Sequence, residues 1–173
     1  MQMISNEPQQ TVVTADEFRR AMRKVASGVA LVSASADGKP YGIAMTAFFS
    51  LSLEPPLMAI AVNRSSSLYS PLTQSGRFCV NVLADEQIEL CQQFVRQAPA
   101  NRFDNTNWSG FQSGVPTLRG APSTITCRVS QSLTFGSHVV VIGEAEQITI
   151  SENQEPLVFV DGSYGTFSKR PGF

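Results

Sequence analysis

Three segments in the C-terminal part of the chain, 123–130, 138–150 and 157–160, are rich in Val, Ile and Thr, and no helix-length amphipathic stretch separates them. Parallel pairing needs a crossover of a dozen or more residues, usually a helix, so strands that follow one another this closely pair antiparallel. The segments therefore predict a mainly β fold, a barrel or sandwich with one or two helices outside, rather than a doubly wound parallel sheet.

The N-terminal half fits the same plan. Thr14 and Glu17 have the spacing of a capping box, Val13 and Phe18 stand at the two staple positions, and Phe18, Met22 and Val25 repeat on one helical face. A helix is expected over 15–26, with Gly28 as its C-terminal cap. A strand over 29–35 then turns at Asp37 and Gly38 into a second strand beginning at Tyr41. From 43 to 62 the chain is apolar and rich in small residues except at Glu54, Pro55 and Pro56, so two core strands, mostly buried, are expected to flank that break. A further strand covers 77–83, and Asp85 is placed to cap a helix carrying Ile88, Cys91 and Phe94 on one face. The stretch 97–116, rich in Asn, Ser and Gly, reads as a long functional loop.

At 173 residues the chain suits one core, taken here as a domain over 14–173 behind a flexible arm over 1–13. The arm lacks the basic and apolar regions of a secretory signal, and no apolar run is long enough to span a membrane; a soluble cytoplasmic protein is expected. Net charge is −1 with Lys and Arg scattered, which argues against a nucleic-acid partner. Cys79, Cys91 and Cys127 are odd in number, widely spaced and set among apolar residues, as buried free thiols are.

The dinucleotide, P-loop, zincin and nucleophile-elbow signatures are all absent, and with His138 as the single histidine neither a multi-histidine metal site nor an ordinary triad is expected. What stands out is small and hydroxyl residues bordering apolar strands: Ala44, Thr46, Ala47, Ser50 and Ser52 in one run, Asn63, Ser65, Ser66 and Ser67 in another. Small side chains let a planar ring approach backbone N–H and C=O groups, and clustered hydroxyls suit phosphate or ribityl oxygens. The same residues also suit ordinary turns, and Ser67 is placed to cap a short helix through Leu72.

The run GIAMTAFFSLSLEPPLMAIAVNRSSS resembles the signature of the flavin-reductase-like family. Five further segments fall in that family's order: FRRAMRKVASGVALVSAS, RFCVNVLADEQIELCQQF, GVPTLRGAPSTITCRV, GSHVVVIGE and PLVFVDGSYGTF. The resemblance implies a split β-barrel with flanking helices, of the FMN-binding split-barrel type, forming a homodimer. It implies an NAD(P)H:flavin oxidoreductase that passes hydride from NADH or NADPH to FMN or FAD, which as a diffusible product would serve a flavin-dependent monooxygenase.

Carried over by position, the resemblance sets Ala44, Met45, Thr46, Ala47, Phe48 and Ser50 against the flavin ring and ribityl chain, and Asn63, Arg64, Ser65, Ser66 and Ser67 at its phosphate. Phe94, Arg102 and Phe103 match the portion over the far end of the cofactor, with Arg102 suited to a phosphate or adenylate. Gly136, Ser137 and His138 match the family's G-x-H motif at the nicotinamide, with His138 orienting it, and Tyr164 lies beside that pocket. Ser137 stands where many relatives carry aspartate, so no carboxylate partner for the imidazole comes from this position. Three rivals stay open: a non-enzymatic flavin-binding module, a flavin-dependent reductase of ferric iron or a corrinoid, and a pyridoxamine-phosphate-oxidase-like enzyme, which would want a basic phosphate cage that the sequence lacks.

Overall fold

The computed structural model describes residues 12–105, 107–110, 114–152, 154–170 and 172. Of the expected arm, only Val12 and Val13 fall among them; both are exposed and belong to no helix or strand. The chain runs α1 (Ala15–Met22), β1 (Ser27–Gly28), β2 (Ala30–Ala36), β3 (Lys39–Met45), β4 (Phe48–Leu53), β5 (Pro56–Asn63), α2 (Tyr69–Ser75), β6 (Arg77–Val82), α3 (Ile88–Arg96), β7 (Trp108–Ser109), β8 (Thr117–Leu118), β9 (Ser123–Phe135), β10 (His138–Ile150), β11 (Leu157–Val160) and β12 (Ser163–Thr166).

Seven strands form one antiparallel sheet in the order β3-β2-β6-β9-β10-β5-β4. Its two edge strands, β3 and β4, are consecutive in the chain and joined only by Thr46 and Ala47. The sheet thus curls until its edges are one short link apart without pairing, which is the split of a split barrel. The Ala61 N–H donates to the Ala47 carbonyl at 2.9 Å, which carries the β4–β5 ladder one rung into the link. A second sheet, β1-β11-β12, lies beside it.

Alternation along β2 separates two cores. Ala30, Val32 and Ala34 point inward to a core with Ile60, Val62, Phe78, Val80, Val139 and Val141. Val29 and Leu31 point outward to a second core with Cys91 and Phe94 of α3 and with Phe103, Trp108 and Leu118. Because β2 is buried on both faces, it reads as an unbroken apolar and small-residue run. Asn81, fully buried between the layers, donates to the Leu31 carbonyl at 2.8 Å and accepts from the Leu118 N–H at 2.8 Å, so β2, β6 and β8 share one satisfied amide.

Several sequence expectations are refined. The capping box at Thr14 and Glu17 is present, but α1 ends at Met22, Gly28 lies in β1 rather than capping, and α1 buries no residue. Val13 and Phe18 are both exposed, so no staple secures its start. Leu68 rather than Ser67 precedes α2, and Asp85 opens a short 3-10 turn, Asp85–Gln87, ahead of α3. The loop expected over 97–116 carries the short strand β7, which pairs with β8 just beyond it, and 123–130 is the first part of a 13-residue strand. Of the two strands expected in the core over 43–62, β5 is buried, whereas β4 leaves Phe49, Leu51 and Leu53 in the open. Asp161 and Gly162, both at positive φ, turn β11 into β12, a hairpin not separated out in the sequence reading.

Candidate active site

Two adjoining recesses open at the seam. One, about 230 Å³, is lined by Ala44, Met45, Thr46, Val29, Val95, Phe159 and Tyr164. The other, about 330 Å³, lies between the end of α1 and the link, lined by Met22, Arg23, Val25, Thr46, Ala47, Phe159 and Asp161 among others. Thr46 and Phe159 belong to both, so the exposed link forms the ridge between two apolar spaces of aromatic-ring size. Phe159 packs edge-on to Tyr164 with ring centroids 5.2 Å apart, and the Tyr164 hydroxyl meets Cys91 Sγ at 3.8 Å. Partial burial, then that thiol contact, push the Tyr164 phenol above its ordinary range.

The α1 side of the second recess is held by charge. Lys24 Nζ lies 2.7 Å from Asp161 Oδ2, Arg23 Nε lies 3.5 Å from Oδ1, and the Asp161 N–H donates to the Arg23 carbonyl at 2.8 Å. The Lys24 hydrogen bond and charge, with Arg23 behind them, hold the Asp161 carboxyl below the usual carboxylate range. Phe159, Arg23 and Asp161 were not singled out from sequence; the Asp161-Gly162 turn was the available signal, since it folds β12 back and sets Tyr164 against Phe159.

A polar cluster stands at the same end of the sheet, where β5 finishes and β10 begins. His138 pairs with Asn63 in the ladder, and the Arg64 N–H donates to the Ser137 carbonyl at 3.0 Å. Asn63 Oδ1 accepts from the Ser65 N–H at 2.9 Å and from Ser65 Oγ at 2.8 Å, while the Ser66 N–H donates to the Asn63 carbonyl. Ser137 Oγ lies 2.9 Å from His138 Nδ1, and Gly136, Ser137 and His138 are all exposed. Ser66 Oγ is buried with no partner, and the exposed Arg64 side chain has no carboxylate partner among the described residues. An orphaned hydroxyl beside an uncommitted guanidinium is a donor set that fits an anionic oxygen cluster such as a phosphate.

The expected site residues therefore divide. Ala44, Met45, Thr46, Ala47 and Tyr164 line the paired recesses; Asn63, Arg64, Ser65, Ser66 and Ser67 with Gly136, Ser137 and His138 gather at the adjacent strand ends. Phe48 and Ser50 face a separate groove of about 300 Å³ along β4. Phe94 and Phe103 are 3% and 7% exposed and pack on each other and on Trp108, inside the second core rather than on the walls of the paired recesses. Arg102 donates from Nη1 to the Gly42 carbonyl at 2.8 Å and stacks over the Phe94 ring; partial burial lowers its pKa, and its buried Nε has no partner. A larger recess, about 380 Å³, lies between α3 and the 105–119 segment, lined by Gln93, Phe94, Gln97, Asn105, Asn107 and Trp108 among others. Among the described residues no cluster of His, Cys, Asp and Glu is arranged to hold a metal, and no helix is long and apolar enough to cross a membrane.

The fold and this surface define a class: a split β-barrel with paired apolar recesses and a phosphate-suited loop at its seam. The family model "Flavin reductase like domain" matches residues 22–168, and the chain belongs to that family. A flavin reductase of Pseudomonas putida is 31% identical over 97% of this chain and 99% of its own. The reductase subunit HsaB of a flavin-dependent monooxygenase of Rhodococcus jostii is 33% identical over 85% of this chain and 75% of its own. Among solved structures, an NADH:FAD oxidoreductase of Streptomyces globisporus in complex with NAD and FAD fragments superposes with a TM-score of 0.82 at 27% identity, covering 94% of this chain and 98% of that one.

Proposed function

We propose that this chain is an NAD(P)H:flavin oxidoreductase, one domain over 14–173, that takes hydride from NADH or NADPH, reduces FMN or FAD and supplies the reduced flavin to a partner monooxygenase. The observation that carries the reading is the exposed link of Thr46 and Ala47 standing between two ring-sized recesses, next to a loop with an orphaned hydroxyl and an uncommitted guanidinium. The relatives named above support the same chemistry and the same kind of partner.

With both substrates bound, hydride passes from C4 of the dihydronicotinamide to the flavin N5. The chain's work is placement and exclusion of water, so no nucleophile or general base is needed. Small side chains at Ala44, Thr46 and Ala47 admit a ring close to the backbone, whose N–H and C=O groups read its polar edge. Phe48 and Ser50 follow the link on β4 but face the separate groove there, outside this ring surface. The Arg64 guanidinium and the Ser66 hydroxyl take the phosphate, while Tyr164 and Phe159 close one recess. His138 orients the nicotinamide. Phe94, Phe103 and Arg102 act from beneath, by supporting β3 through Gly42.

A second copy of the chain covers β4. Among the described residues this edge strand has no partner on one side, and it exposes Phe49, Leu51 and Leu53 beside an apolar groove reaching Ile148. An edge this apolar is a liability unless paired or covered. Three buried, unpaired cysteines accord with a reducing cytoplasmic location.

The test is consumption of NADH and of NADPH by the purified chain under low oxygen, with FMN, FAD and riboflavin in turn. Multiple turnovers are expected with at least one pairing. Flavin binding without consumption in any pairing would leave only a binding module.

A further inference from the structure

Position 137 supplies no carboxylate to His138, as its serine implies, and the structure sets the Ser137 hydroxyl against the ring instead. Ser137 Oγ lies 2.9 Å from His138 Nδ1. Ser137 is the second residue of the two-residue β9–β10 turn; Gly136 takes the positive φ of 56° at the first, as such a turn requires, and Ser137 stays outside the left-handed region. The backbone of the same residue accepts the Arg64 N–H at 3.0 Å, and His138 is the ladder partner of Asn63, whose side chain organises Ser65. Ser137 thus touches the imidazole with its side chain and the phosphate-suited loop with its carbonyl.

We propose that Ser137 is the positioning residue of the nicotinamide contact: its hydroxyl fixes the His138 ring so that Nε2 is the nitrogen turned to the substrate, and its carbonyl locks that geometry to the 63–67 loop. The proposal rests on the reading of His138 as the nicotinamide contact. An exposed imidazole without a partner turns freely about two side-chain torsions. One hydrogen bond at Nδ1 removes most of that freedom before substrate arrives, which lowers the cost of binding. A hydroxyl both donates and accepts, so it serves either neutral tautomer and the imidazolium, whereas a carboxylate serves only a ring carrying a proton on Nδ1. The orientation therefore holds whichever nitrogen carries the proton.

His138 is the single histidine of the chain, so in untagged protein its ring nitrogens give one isolated set of NMR signals. In Ser137→Ala the Nδ1 signal should move more than the Nε2 signal, with the amide spectrum elsewhere and the thermal midpoint preserved. In steady state, Ser137→Ala should raise KM for the pyridine nucleotide about three- to tenfold, the range of one hydrogen bond, and leave KM for flavin unchanged. Ser137→Thr keeps the hydroxyl and should return both readouts to near the parent values. In a His138→Ala background Ser137→Ala should add nothing. Unmoved ring signals, or a full and independent Ser137→Ala effect without His138, would overturn the positioning role. If His138→Ala itself leaves the nucleotide KM unchanged while the ring signals do respond to Ser137→Ala, the hydrogen bond stands but the nicotinamide assignment beneath it falls, and the positioning role with it.

Discussion

Gly42 has space for a hydrogen and little more: a Cβ there would lie 2.9 Å from Phe103 Cζ, 3.0 Å from Phe94 Cζ and 3.0 Å from the Val32 carbonyl. Gly42→Ala should cost about 1–3 kcal/mol in a denaturant melt, because two ring edges and a backbone oxygen must yield together. This packing explains why Phe94 and Phe103 were legible as important yet misplaced in the sequence. A motif match says that a ring is required, but a ring facing a cofactor and a ring backing the strand that faces it leave the same letters. The cysteines were easier, since an apolar neighbourhood on both sides admits little but burial. Burial raises Cys79 from 9.0 to about 11 and Cys127 to about 12, with the nearby Cys79 and Glu146 charges adding to the latter, and Cys91 is raised in the same direction. The native chain should therefore leave its thiols unmodified by a thiol reagent at neutral pH and expose all three on unfolding. A folded-state pKa above the unfolded one means that the unfolded chain releases its protons first. Stability from these thiols is thus whole below pH 9 and declines as pH rises toward 11, which melts across that window would read.

Secondary elements were legible wherever a local rule acts alone. The capping box at Thr14 and the Asp37-Gly38 hairpin depend only on neighbouring residues, and both are present. Burial of β4 was not legible, because FFSLSL reads as core by composition while the strand stands at the sheet edge with Phe49, Leu51 and Leu53 exposed. Leu53, 83% exposed at the end of that edge, is where the difference can be read. Leu53→Lys should leave the monomer folded, since the side chain touches no core, and should shift the assembled species to monomer in sedimentation or scattering. A parent chain that is already monomeric at working concentration would contradict the reading of β4 as an interface.

For the molecule as a whole, strand succession without crossovers restricted the topology to antiparallel arrangements, and six ordered segments narrowed it to the split barrel. Neither shows that the two edge strands are joined by Thr46 and Ala47 alone, because that follows from the closure of a seven-stranded sheet rather than from any local pattern. The link earns its place in the site through that closure, which leaves it between the two recesses. The most direct test is an anaerobic single turnover, following nicotinamide and flavin absorbance together after the chain and flavin are mixed with NADH or NADPH. One flavin bleached per nucleotide oxidised, at a rate proportional to the chain, is the expected result. Nucleotide oxidised without flavin reduction, or no faster than in the chain's absence, would contradict the account.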